Sequence, residues 1–61
     1  MGAAYVIEVA GRQAGLVVRI GKGRFRFFSA IAETLALEGA EFSSASDASR
    51  AARRAFGAAR R

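Results

Sequence analysis

Residues 5–28 read YVIEVAGRQAGLVVRIGKGRFRFF, and they contain the clearest strand and turn signals of the chain. Two runs rich in β-branched and aromatic residues, 5–10 and 16–20, flank a segment that contains glycine, which is typical of a β-hairpin. Lys22-Gly23 follows directly, and its glycine supplies the positive φ that a second tight turn needs. Arginine and phenylalanine then alternate along a third run. The stretch therefore predicts a three-stranded antiparallel meander.

A first loop at residues 11–14 and a two-residue turn at 22–23 give strand registers that agree with each other. Both place one set of apolar side chains on a single face, as the period of two in a strand requires. This predicted inner face consists of Tyr5, Ile7, Val9, Leu16, Val18, Ile20, Phe25 and Phe27. On the other face the registers set Arg19 directly opposite Arg26. Like charges in that position repel. We expect Glu8, a bound anion, a phosphate backbone or the acidic middle block of another subunit to neutralise them.

The second half of the chain predicts helices. In AIAETLALEG, residues 30–39, Ile31 and Leu35 stand at helical spacing and Gly39 occupies a C-cap position. A brief extended segment around Phe42 follows. The order β-β-β-α-(β)-α predicts one α+β domain, residues 1–61, with the helices packed on one sheet face.

Residues 44–60, SASDASRAARRAFGAAR, predict the last helix. Ser44 or Ser46 can cap it, and Asp47 lies in its positively polarised first turn. Small apolar residues recur at intervals of three and four and form a stripe that can lie on the sheet. The stripe consists of Ala48, Ala51, Ala52, Ala55, Phe56 and Ala59.

Several segments, YVIEVAG, AGLVVR, FRFF and LEGAEF, precede a Ser44 that leads into an Ala-rich helix. Together they span nearly the whole chain, and the pattern resembles small bacterial proteins of about this length that have no assigned activity. The resemblance implies three strands with an Ala-rich C-terminal helix, and it implies no site residues.

The composition argues against an enzyme. The chain contains no Cys and no His, so the best nucleophile and the usual general base are both absent. Disulfides are excluded, any metal site would need carboxylates alone, and we expect no cofactor. No apolar run approaches the roughly 20 residues that a membrane span requires. The N-terminus lacks the pattern of a secretory signal, so a cytoplasmic protein is expected.

The net charge of +5 is unevenly distributed. Residues 1–28 carry five basic and one acidic side chain, residues 29–49 carry four acidic ones, and residues 50–61 carry five arginines. The first 49 residues are therefore neutral, and a polyanion should meet the C-terminal helix first.

The sequence leaves two functions open, one based on the charge distribution and one on the small size of the core. The first is a module that contacts nucleic-acid phosphates through the last helix, with a second patch on the strands. Its candidate residues are Arg50, Arg53, Arg54, Arg60 and Arg61, and then Arg19, Arg24 and Arg26. The second is a small homo-oligomeric protein-interaction module, such as a homodimer, because a chain of 61 residues buries little core and usually needs further support.

Overall fold

The structure is a computed structural model that describes residues 3–59. Its elements are β1 (Ala4–Val9), β2 (Arg12–Gly21), β3 (Arg24–Ser29), a 3₁₀ helix (Ala32–Leu37), β4 (Glu41–Phe42) and α1 (Ala45–Ala59). The strands form one antiparallel sheet in the order β1-β2-β3-β4. The predicted α+β class and the meander are confirmed, and β4 is the brief extended segment that was predicted around Phe42.

One side of the sheet, the covered face, packs against α1 and the 3₁₀ helix. The buried core there consists of Ile7, Val9, Ala14, Val17 and Phe27 from the strands and Ala48, Ala52 and Phe56 from α1. Partly buried Phe25, Ile31, Leu37, Phe42 and Ala45 surround it. The inner positions predicted for β1 and β3 are therefore confirmed at Ile7, Val9, Phe25 and Phe27.

The predicted loop at residues 11–14 is wrong. The first turn is Ala10-Gly11, so Val9 pairs with Arg12, a residue that the prediction placed inside the loop. Ala10 has a φ of 53° and Gly11 a φ of 77°, and positive φ at both central residues defines the type I′ turn that suits strand twist. The left-handed conformation costs Ala10 roughly 1–2 kcal/mol, which is why the sequence gives little indication of a turn there.

A bulge follows this turn. Glu8 pairs with Gln13 and Ile7 pairs with Gly15, so Ala14 is an extra residue in β2. The extra residue reverses which side chains of β2 reach the covered face. Val17 is completely buried, while Leu16 and Val18 are only half-buried and lie on the opposite side. The prediction that Leu16, Val18 and Ile20 belong to the inner face is therefore wrong.

Two contacts explain which side chains of β2 face the core. The ring of Phe27 lies over Gly15, where an added Cβ would come within 2.5 Å of both that ring and the carbonyl oxygen of Phe28. Thr34, which is completely buried, donates a hydrogen bond from its hydroxyl to the carbonyl of Ala14 at 2.8 Å. The glycine makes room for the largest core side chain. The bulge carbonyl accepts two hydrogen bonds, one from the Thr34 hydroxyl and one from the backbone N–H of Ala30 at 3.0 Å, so it is satisfied within the fold.

The short helix is a 3₁₀ helix, and its inward side follows a spacing of three. Ile31 and Leu37 pack on the core and Thr34 between them is buried. The α-helical pairing of Ile31 with Leu35 is wrong, since Leu35 is 63% exposed. Gly39 lies just beyond the helix with a φ of 80°, as a residue that ends a helix often does.

The outer edge of β3 makes further hydrogen bonds where β4 does not cover it. The backbone N–H of Phe27 donates to the carbonyl of Ala40 at 2.8 Å, and the N–H of Ser29 donates to the carboxylate of Glu38 at 2.7 Å. Such bonds leave fewer free groups for another chain to pair with. β4 starts at Glu41, so Glu41 lies directly beside β3, opposite Arg26.

Candidate functional site

The arginines of α1 lie on the side of the helix that faces away from the sheet. Arg50, Arg53 and Arg54 stand three and four residues apart and are all exposed, as the spacing predicts. We name these three residues the arginine ridge. Arg60 and Arg61, which were predicted to extend it, lie outside the described residues.

The start of α1 explains the environment of the first ridge residue. The hydroxyl of Ser44 accepts a hydrogen bond from the N–H of Asp47 at 3.0 Å, which confirms Ser44 as the cap. Ser43 donates to the Asp47 carboxylate at 2.7 Å, and Arg50 forms an ion pair with the same group. Asp47 therefore offsets the charge of Arg50.

The other two ridge residues have no carboxylate partner within residues 3–59. Arg53 reaches only the hydroxyl of Ser49, at 3.3 Å, and Arg54 makes no ion pair there. Arg53 and Arg54 are adjacent in sequence and exposed. They therefore present two neighbouring uncompensated guanidinium groups.

Arg24 and Arg26 share a single carboxylate where β3 meets β4. The register sets Arg26 opposite Glu41. Arg26 donates to Glu41 Oε2 at 2.8 Å and Arg24 donates to Oε1 at 3.2 Å. The hydrogen bonds from Arg24 and Arg26 lower the pKa of Glu41 below its ordinary value, since they favour the ionised form. This edge cluster of Arg24, Arg26 and Glu41 keeps one excess positive charge.

Arg19 does not belong to the edge cluster. It pairs with Phe25, so the predicted opposition of Arg19 and Arg26 is wrong. A second bulge, at Ile20, produces this shift. Because Arg19 stands two residues from the buried Val17, its exposed side chain emerges on the covered side of the sheet. The predicted second patch is thus divided between the two sides.

The side of the sheet away from α1, the open face, is more apolar than predicted. Val6, Leu16 and Phe28 stand opposite one another across three strands, and Val18 lies in the next row beside Arg26. Val6 is 59% exposed and Phe28 is 40% exposed. The prediction placed Arg19 here and Leu16 and Val18 on the inner face, and the bulges reverse these positions.

The charges of the open face lie at two diagonally opposite corners. Glu8 stands on β1 next to the first turn, and it makes no ion pair within residues 3–59. The edge cluster stands on β3 and β4 near the second turn, at the other end of the sheet. Glu8 is therefore not the neutralising partner that was expected for Arg26. The apolar row separates a corner of charge −1 from a corner of charge +1.

Sequence reasoning missed the environment of Arg12. Its Nη1 lies 3.0 Å from the carboxylate of Glu33, and its guanidinium lies 5.7 Å from the ring centroid of Phe56. These contacts join the start of β2, the 3₁₀ helix and α1. Partners 21 residues apart in the chain leave no local pattern that could have indicated the pair.

No protein-family model, no curated protein and no solved structure matches the chain. Across residues 3–59 no helix combines the length and apolar character needed to cross a membrane. The same residues bring together no group of three or more carboxylates that could hold a metal ion. The geometry of the two surfaces is therefore the basis for a functional proposal.

Proposed function

We propose that the chain is a non-enzymatic binding module that contacts nucleic-acid phosphates through the arginine ridge. The observation that carries this proposal is the exposure of Arg53 and Arg54 without a carboxylate partner in the described part of the chain. Four other arginines, Arg12, Arg24, Arg26 and Arg50, lie against carboxylates.

A phosphate is the anion that this arrangement suits. Guanidinium groups bind phosphate oxygens through paired N–H donors, and a helix presents residues three and four apart as one row. The first 49 residues are neutral, so the attraction for a polyanion is concentrated at this helix. The edge cluster, with its one excess charge, is a weaker second contact.

The test is the double variant Arg53→Gln and Arg54→Gln, which largely preserves helix propensity. If each arginine neutralises one duplex phosphate, the slope of log K against log salt should flatten by about 0.9 for each, or about 1.8 in total. Affinity should fall by a similar factor for all sequences, because phosphate contacts carry no base information. Fluorescence anisotropy with labelled duplexes over a salt series measures both quantities.

The matched control is Arg24→Gln with Arg26→Gln, which removes the same charge from the edge cluster. We expect a much smaller change of slope, since Glu41 already offsets part of that charge. An equal change in both variants would mean that total charge, and not the ridge, determines binding. The proposal fails if the unchanged protein binds neither single- nor double-stranded DNA or RNA at about 50 mM salt, where such contacts are strongest.

A second candidate function is that of a homo-oligomeric protein-interaction module. The apolar row of the open face favours it, because Val6 and Phe28 are exposed in a chain whose own core is small. This function requires a partner surface for the sheet and makes no use of the arginine ridge.

A further inference from the structure

We propose that two copies of the chain pack open face against open face in a weak two-fold dimer whose sheets cross at nearly a right angle. This dimer rests on the second proposed function, self-association, and it specifies the surface and the geometry. It is independent of nucleic-acid binding.

The apolar row provides the centre of the interface. Val6, Leu16 and Phe28 lie side by side across three neighbouring strands, with Val18 next to them. Both helices of the described chain lie on the covered face, so this row has no layer of structure above it. Removing these side chains from water would supply the favourable free energy of association.

The charges favour a second copy as the occupant. Glu8, Glu41, Arg24 and Arg26 together make the open face neutral, so two identical faces do not repel each other overall. The negative corner at Glu8 and the positive edge cluster lie at opposite ends of one diagonal. A two-fold axis in the plane of the interface, running along the other diagonal, exchanges these corners. Each copy then sets its Glu8 over the edge cluster of the other copy, and the contact occurs twice.

The crossing angle follows from the same symmetry. An axis along a diagonal of the sheet turns the strands of one copy by about 90° relative to those of the other, which is one of the two common ways in which sheets stack. α1 then lies on the outside of each copy. The arginine ridges remain exposed at the two ends of the dimer.

The size of the face predicts weak association. Three strands about 4.8 Å apart, and about five residues that each rise about 3.4 Å, give a footprint of roughly 14 by 17 Å. Two such faces bury well under the 1,200 Å² or so at the lower limit of stable specific complexes. We therefore expect a dissociation constant of about 0.1–1 mM.

The test is a charge exchange between the two corners. Glu8→Arg makes the negative corner positive, and Arg24→Glu makes the edge cluster negative. Either variant alone sets like charges against each other at both contacts, so each should stay monomeric at concentrations where the unchanged protein associates. An equal mixture of the two should recover a dimer, because every contact in the mixed pair is attractive again. Sedimentation equilibrium at concentrations up to about 1 mM measures this over the expected range.

The control is Arg54→Glu, which makes on the arginine ridge the same change of charge that Arg24→Glu makes at the edge cluster. It should dimerise like the unchanged protein, and circular dichroism should show all four proteins folded. Association that survives both corner variants would overturn this interface while leaving self-association intact, and pairing through the edge of β1 would then be the alternative. An unchanged protein that stays monomeric at about 1 mM would overturn both the interface and the second proposed function.

Discussion

Two neighbouring phenylalanines on β3 show how differently the two sides of the sheet are used. Phe27 is completely buried on the covered face, while Phe28 is 40% exposed on the open face. Both sides carry large apolar residues, so apolar character alone does not determine which side forms the core. The core forms on the side where α1 packs, and the bulge at Ala14 matches β2 to that side because it turns Val17 inward and Leu16 outward.

The two sides also differ in how strictly each position is specified. On the covered face the ring of Phe27 leaves no room for a Cβ at residue 15, and the buried hydroxyl of Thr34 donates to the carbonyl of Ala14. On the open face Val6, Leu16 and Phe28 stand next to one another across the strands, and neither helix of the described residues lies over them. We therefore expect large effects of substitution on the covered face and small effects on the open face in the isolated chain.

The largest difference should appear between Phe27→Ala and Phe28→Ala. Phe27→Ala should cost about 3–5 kcal/mol of unfolding free energy, the usual range for a buried phenylalanine. That loss is enough to unfold so small a domain. Phe28→Ala removes a partly exposed side chain and should cost about 1 kcal/mol or less. Urea denaturation followed by circular dichroism compares the two, and equal losses would show that the two faces are not distinct.

A second comparison uses two glycines. In Gly15→Ala the new Cβ would meet the Phe27 ring and a backbone carbonyl at 2.5 Å, and the carbonyl has little freedom to move. We expect a loss of about 1–3 kcal/mol, as is usual for overpacking. Gly57→Ala is the control, since Gly57 lies on the exposed side of α1 with open space around it. It should gain about 0.5–1 kcal/mol. The account of β2 is wrong if Gly15→Ala is as stable as the unchanged protein.

The sequence predicts those parts of the fold that local chemistry controls. Alternation assigns the faces of β1 and β3 correctly, and the Ser44 cap begins α1 as expected. Which side chains of β2 face the core could not be predicted, because LVV at 16–18 offers an apolar residue to either side. The contacts that decide it join Thr34 to Ala14 and Phe27 to Gly15, which are distant in the chain.

The candidate site also has one part that the sequence predicts and one part that it does not. Helical spacing is enough to place Arg50, Arg53 and Arg54 on the exposed side of α1. The neutralisation of Arg24 and Arg26 could not be predicted, since it depends on the pairing of a two-residue strand with β3. The bulge at Ile20, another feature without a local pattern, is what separates Arg19 from them.

The smallest expected effect is on the stability that Glu41 contributes at the edge of the open face and on how this contribution depends on pH. Arg24 and Arg26 lower the pKa of Glu41 in the folded protein below the ordinary value of 4.5. A lowered folded-state pKa means that the unfolded chain takes up this proton first as the pH falls. The contribution of Glu41 to stability is therefore complete well above pH 4.5 and is lost as the pH drops through the lowered value.

The matched variant is Glu41→Gln, which keeps the size and removes the charge. The unchanged protein should be slightly more stable than this variant at neutral pH, and the difference should shrink as the pH falls below 4.5. The difference will be modest, because Glu41 and both arginines are solvent-exposed and such pairs are screened by water and salt. Urea denaturation of both proteins over a pH series measures it. A difference that stays constant down to about pH 3 would show that the ionisation of Glu41 contributes nothing, since its pairing should weaken as protonation proceeds.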